Sequence, residues 1–115
     1  HTYDAFVYPN IWEETFCISA LEALACGLSV VTTDNGALYE TCSEFPIYIP
    51  MDTNYKNLAL QFAAVIDDLP NQINDLGFQY HLKFQQKFYN HFYNWKNIAG
   101  QWTSFLKGAA SNGRR

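Results

Sequence analysis

The chain has 115 residues, enough for one small domain or part of one and too few for a two-domain enzyme. Its 11 acidic and 7 basic residues give a net charge of -4, and its basic pair Arg114-Arg115 sits at the tail, which argues against a nucleic-acid phosphate backbone as partner. No apolar run reaches membrane-spanning length, because Glu22 and Gly27 interrupt the best candidate, and no signal-peptide pattern begins the chain.

Asp4 to Tyr8 is a short aromatic and β-branched run stopped by Pro9-Asn10, which predicts a buried strand ended by a turn. The loop after it lies at the strand's carboxyl end, where open α/β sheets gather ligands beside the amino ends of the following helices. Ser19 and Glu22 have the spacing of a capping box, Leu21, Leu24 and Ala25 supply an apolar face, and Gly27 suits a C-terminal stop. A short helix is therefore expected over about 18–26. Its free amino-terminal N–H groups would favour a diphosphate at Phe16 to Ser19. Ser29 to Thr33 reads as a second strand after a Gly-Leu turn, completing a β-α-β unit with a right-handed crossover.

Glu14 and Glu22 stand eight positions apart in this stretch and flank the turn that opens the helix. Capping alone would account for Glu22, and Glu14 beside Glu13 reads equally as a solvated turn residue. Glu40 falls early in a short helix after Asn35-Gly36, where it would interact with the helix dipole. Cys17, Cys26 and Cys42 lack ligand spacing and read as small buried or half-buried thiols, which suits a reducing, cytoplasmic setting.

Beyond Cys42, Ile47-Tyr48-Ile49 between Pro46 and Pro50 predicts a last short strand at the sheet edge. Asp52 or Thr53 is expected to cap a helix whose residues Leu58, Phe62, Val65, Ile66 and Leu69 keep a helical period, and Pro70 is expected to break it. A second helix over about 71–93 would carry Phe84, Phe88 and Phe92 in one stripe with Tyr80 above, facing the core rather than stacking a base or sugar. His81 and His91, nearly three turns apart on it, cannot share a metal ion, and no metal site is expected. The final helix, from Trp95 to about Leu106, places Trp95, Ile98, Ala99, Trp102, Phe105 and Leu106 on a broad face, and a frayed tail follows. His1 stands where an initiator methionine is missing, so the chain reads as part of a longer polypeptide.

The segment from Asp4 to Glu40, with Pro9, Glu14, Phe16, Glu22-Ala23, Ala25-Cys26-Gly27, Val30-Val31, Gly36 and Glu40, resembles the C-terminal domain of GT-B glycosyltransferases, in the group that carries the E-x7-E signature. The resemblance implies an α/β fold: a Rossmann-like parallel sheet flanked by helices, the later half of such a domain, followed by C-terminal helices. Residues 1–50 would be the donor-binding β-α-β portion, 51–107 the C-terminal helices of the same domain, and 108–115 a flexible tail.

By the same resemblance Glu14 is the catalytic-site residue facing the transferred sugar, Glu22 meets the ribose hydroxyls, and Phe16, Cys17 and Ile18 offer backbone amides to the diphosphate. Ser19, Gly36 and Glu40 complete the donor-binding set. The implied activity is transfer of a sugar from a nucleotide-diphosphate sugar to an unidentified acceptor, retaining and independent of metal, with no cofactor besides the donor substrate. An N-terminal domain and the earlier part of the C-terminal domain would be supplied by the same polypeptide. The segment Trp95-Lys96-Asn97-Ile98-Ala99 resembles the start of the family's closing helix, whose end packs back toward that N-terminal domain. Thr15, Cys17 and Ser19 depart from the pattern, which has glycine at the first two positions and proline near the third, and Gly36-Ala37 replaces a glycine pair, relaxing the second position. A catalytically inactive GT-B-like interaction domain and a GT-B nucleotide-sugar epimerase are the other readings.

Overall fold

The structure, a computed structural model, describes residues 3–112; His1 and the Arg114-Arg115 pair lie outside the described residues. Three strands, β1 (Ala5–Tyr8), β2 (Ser29–Thr33) and β3 (Ile47–Ile49), form a parallel sheet in that spatial order, with Phe6 opposite Val30 and Thr32 opposite Tyr48. Parallel strands need long connections, and helix α1 (Ile18–Ala25) and the short α2 (Leu38–Cys42) supply them. Helices α3 (Tyr55–Asn74), α4 (Leu76–Phe92) and α5 (Trp95–Asn112) follow. This is the α/β, Rossmann-like sheet flanked by helices that the family resemblance implies.

Strand alternation sorts the core into two layers. Val30 points with Phe6, Tyr8 and Tyr48 toward α1, α2 and α4, where Ala20, Leu21, Leu24, Leu38, Cys42 and Tyr89 close the cluster. Val31 points the other way, with Ala5, Ile47 and Ile49, onto Leu58, Phe62 and Leu69 of α3. Every residue of β2 is buried, as a central parallel strand covered on both faces should be. Strand β1 is less buried than expected: Val7 is exposed on its outer side, because β1 pairs on one edge only.

Helix α1 stops where the sequence predicts. Gly27 takes φ +77, its N–H donates to the Leu24 carbonyl at 3.0 Å, and the Leu28 N–H reaches back to the Ala23 carbonyl at 3.1 Å, the paired bonds of a Schellman stop. Its start differs from expectation. Ser19 lies inside the first turn and caps nothing; the N-cap is Cys17, which accepts no capping bond on its side chain, so there is no capping box.

Three helix boundaries differ as well. Asn54, rather than Asp52 or Thr53, caps α3, its Oδ1 accepting from the N–H groups of Lys56 and Asn57, while Asp52 accepts from the Asn54 N–H one step earlier. Pro70 does not break the helix. The apolar stripe of Leu58, Phe62 and Leu69 continues to Ile73 against the sheet layer, and Asp68 grips Asn71 and Gln72 across the proline, so tertiary packing outweighs the bond that Pro70 deletes. The break comes at Asp75, whose side chain accepts from the Phe78 N–H and starts α4. Helix α5 runs to Asn112, beyond the expected stop at Leu106, so 108–112 of the expected tail are helical.

The face that α4 presents to the core is another departure. Phe84 and Phe92 are more than half exposed, Tyr80 is exposed and Phe88 half-buried, whereas Gln85 and Tyr89 are fully buried. The reason lies in the end of α1. Gln85 Nε2 donates to the carbonyls of Leu24 at 3.1 Å and Leu28 at 2.9 Å, Gln86 to Cys26 and Asn90 to Ala25, so the polar stripe of α4 satisfies the orphan carbonyls of a buried helix end. Tyr89 Oη donates to the Cys42 carbonyl at 2.7 Å, doing the same for α2. None of the residues of α5 is buried, and the radius of gyration, 17.5 Å, exceeds the roughly 13 Å of a compact domain this size, as a helix projecting from the body requires.

Removing Gln85 takes the side-chain donor from the Leu28 carbonyl and one of two donors from Leu24, and removing the Tyr89 hydroxyl leaves the Cys42 carbonyl only the 3.4 Å bond from the Phe45 N–H. Gln85→Ala should lower unfolding free energy by roughly 2–4 kcal/mol and Tyr89→Phe by about 1–2 kcal/mol, whereas Phe84→Ala should cost less than about 1 kcal/mol. Urea unfolding of the three variants checks the order, and Phe84→Ala being the worst of them would restore the aromatic stripe as the core face.

Candidate functional site

The loop over residues 9–17 crosses the carboxyl ends of β1 and β2. It is tied down immediately. Asn10 is buried, its Nδ2 donates to the Trp12 carbonyl and its Oδ1 accepts from the Trp12 N–H, each at 2.8 Å, and its own carbonyl accepts from Thr33 Oγ1 at 2.8 Å. Such side-chain turns are what asparagine supplies after a strand-ending proline.

Glu14 is held from two sides. Its half-buried side chain accepts at Oε1 from the Tyr8 hydroxyl at the end of β1. Its carbonyl accepts from the Ala37 N–H at 2.7 Å, in the turn that follows β2. Gly36 lies against the same main chain: a Cβ there would come within 2.5 Å of the Glu14 nitrogen and 2.7 Å of its oxygen, and φ is +62, so only glycine fits. Ala37, at φ -81, has ordinary backbone geometry and needs no glycine.

Cys17 opens α1 in the left-handed region, at φ 58 and ψ 76. For a side chain larger than glycine this conformation costs roughly 1–2 kcal/mol. The backbone N–H groups of Phe16, Cys17 and Ile18 donate to no acceptor among the described residues, and they sit at the positive end of the α1 dipole. Burial pushes the Cys17 thiol pKa up; the amide of Ala20 opposes that shift, the Glu14 carboxylate adds to it, and the Ser19 amide opposes it again. The thiol is thus the protonated form near neutrality. Cys42, buried beneath, is raised to about 12 by burial first and by Cys17 second.

Glu22 is exposed on α1 and lines a cavity of about 180 Å³ whose other walls include Phe16, Ile18, Leu21, Trp95 and Ile98. A neighbouring groove of about 460 Å³ shares Phe16 and Ile98 with it and adds Phe88, Phe92 and Gln101. The two glutamates therefore stand on different walls. Glu14 is joined to Gly36 through the backbone; Phe16 and Ile18 are joined to Glu22 around the cavity. The side chains of Ser19 and Glu40 are exposed, in the first turns of α1 and α2, and hydrogen-bond to nothing among the described residues. His81 sits against the Phe45 ring, with its Nε2 3.5 Å from the Phe45 carbonyl, and His91 is exposed. Among the described residues no group of His, Cys, Asp and Glu side chains has the arrangement of a metal site, and no helix is long and apolar enough to cross a membrane.

Two residues of this site escaped the sequence reading. Asn10 carried a signal, since asparagine after proline marks a structured turn. Tyr8 carried none, because its contact with Glu14 depends on how the loop folds back over the strand end.

The family model described as Glycosyl transferases group 1 matches residues 1–77, from β1 through α3 to the start of α4, a span that contains every residue of the site on the α1 side. No curated protein and no solved structure matches the chain.

Two measurements test the geometry. Gly36→Ala forces a backbone shift under Glu14 and should lower the melting temperature by several degrees, more than Ala37→Gly does, by differential scanning calorimetry. The Tyr8 hydroxyl has its pKa raised from 10 to about 12, first by its bond to Glu14, then by burial and by the Glu14 charge. A tyrosine raised in this way contributes stability that is complete below pH 10 and is lost as pH rises through 12. Tyr8→Phe should remove that part of the loss of stability above pH 10, read from melting temperatures between pH 9 and 12.

Proposed function

The chain belongs to the group 1 glycosyltransferases, and from that premise we propose that it is the part of the enzyme that binds a nucleotide-diphosphate sugar and presents the sugar for transfer to an acceptor. The observation that carries the reading is the opening of α1: three backbone N–H groups without acceptors among the described residues, at a helix amino end, beside the carboxyl ends of parallel strands, between two glutamates. In glycosyl transfer negative charge grows on the leaving diphosphate, and fixed amides at Phe16, Cys17 and Ile18 would stabilise it without reorganising. Glu14 would accept hydrogen bonds from the sugar and Glu22 from the ribose diol, each a charge-assisted bond. Neither is proposed as a general base. Gly36 holds Glu14 in place, and Ser19 and Glu40 are the outer members of the set.

The outcome is proposed to be retaining and independent of metal, on the strength of the resemblance and of a sequence without an Asp-x-Asp pair. Residues 1–50 would be the donor-binding portion and 51–107 the closing helices of the same domain. Earlier strands of the sheet would pair with the open edge of β1, and a preceding domain would cover the exposed aromatic face of α5, where Trp95, Trp102 and Phe105 stand free. Three thiols without disulfide partners suit the cytoplasm.

One observation favours the inactive interaction domain instead. Cys17 carries a side chain at the left-handed N-cap of α1, where the family pattern has glycine and bare backbone. Calorimetry with uridine and guanosine diphosphate sugars separates the two: saturable heat is expected for a transferase, none for a scaffold. Kinetics supply the second test. Glu14→Ala and Glu22→Ala should each lower kcat/KM for glycosyl transfer by about tenfold to a hundredfold, the loss of one charged hydrogen bond; unchanged values would end the assignment.

A further inference from the structure

We infer that Tyr8 is a positioning residue for the donor sugar, its hydroxyl setting the orientation of the Glu14 carboxylate from the end of β1. The inference rests on the donor-site reading above and adds to it a residue that no spacing in the loop discloses.

Tyr8 is anchored in the sheet rather than in the loop. It closes β1 in register with Thr32 of β2, its ring stacks on Phe6 with centroids 5.8 Å apart, and it packs partly buried against the α1 layer. Its hydroxyl donates to Glu14 Oε1 and is the one hydrogen-bond partner of that carboxylate among the described residues. The main chain of Glu14 is fixed separately, by the Ala37 N–H and by Gly36. Backbone and side chain are therefore set by two different strands, and the second carboxylate oxygen is left to accept from a sugar hydroxyl. A glutamate on a free loop would lose rotamer freedom each time it bound; one already held by a strand tyrosine loses less.

A plain strut would look the same in the structure and behave differently in solution. If Tyr8 merely ties the loop to the strand, its loss displaces the amides as well, and the diphosphate suffers with the sugar. If it orients Glu14, only the sugar suffers. The test is calorimetry on the full-length protein with UDP and UDP-glucose, UDP-N-acetylglucosamine and UDP-galactose, and with GDP and GDP-mannose, for wild type, Tyr8→Phe, Glu14→Ala, Glu14→Asp and the double variant Tyr8→Phe/Glu14→Ala.

Tyr8→Phe is expected to weaken the wild-type nucleotide sugar about tenfold while the free nucleotide diphosphate stays within about twofold. On a Glu14→Ala background the same change should add nothing, because the group it orients is gone. Glu14→Asp, whose shorter carboxylate falls short of the Tyr8 hydroxyl, should reproduce Tyr8→Phe and carries the comparison if the latter unfolds. Equal losses for sugar and free diphosphate, additivity with Glu14→Ala, or no loss at all would overturn the inference while leaving the donor reading standing. Absence of saturable heat from the wild type with every sugar nucleotide would overturn the donor reading, and the inference with it.

Discussion

The functional edge of the sheet depends on the contact between Gly36 and the main chain of Glu13 and Glu14. Two loops that leave different strands meet there with no side chain between them, closer than any Cβ could allow, and the Ala37 N–H fastens the contact by donating to the Glu14 carbonyl. A contact of this kind transmits position. The place of β2, buried on both faces and therefore fixed, decides where Gly36 lies; Gly36 decides where Glu14 lies; and the residues after Glu14 can then reach the start of α1 only by a sharp turn. Cys17 makes that turn in the left-handed region at a cost of roughly 1–2 kcal/mol. Strain held by the surrounding structure is characteristic of ligand-binding loops, and here it sits at the residue that opens α1.

The opposite end of α1 shows why the core of α4 is polar. A helix that ends inside a domain leaves carbonyls that water cannot reach, and each such group costs about 1–3 kcal/mol if nothing donates to it. Gln85 and Asn90 answer for Leu24, Leu28 and Ala25, and Tyr89 answers for Cys42, so a glutamine and a tyrosine are buried while phenylalanines one position away are left outside. Hydrophobic burial would reward the reverse arrangement by roughly 1.5–3 kcal/mol per side chain. It loses because Phe84 and Phe92 have no donor to offer. Phe92 and the half-buried Phe88 line the groove that runs to Phe16, so the stripe expected to face the core borders the loop instead.

How much of this could be read beforehand follows from the range of each interaction. The strands and the Schellman stop at Gly27 are local or nearly local, and the pattern of residues states them outright, whereas the need for glycine at Gly36 arises from the Glu14 main chain in another loop. The start of α1 was misread because Ser19 and Glu22 satisfy a capping pattern at a place where the loop geometry had already assigned the cap to Cys17. Pro70 was misread because the stripe from Leu58 to Ile73 packs on β2 and β3, and that packing is invisible in a helix considered alone. The aromatic stripe of α4 failed for the same reason, since the carbonyls that call for Gln85 belong to a helix some sixty positions earlier. Tyr8 is the extreme case, a side chain whose partner is only six positions away yet is reached through a fold of the loop rather than through a regular period.

The eight-position spacing of Glu14 and Glu22 takes on a different meaning in this light. Eight residues of continuous helix would bring two side chains to neighbouring faces a little over two turns apart, and the pair would read as one acidic patch. Here the left-handed Cys17 lies between them, so the spacing is a loop followed by the first turns of a helix rather than one helical face. One is turned back toward the strand by Tyr8; the other stands on α1 at the rim of an apolar cavity. Between them lie the amides of Phe16, Cys17 and Ile18, which donate to nothing among the described residues.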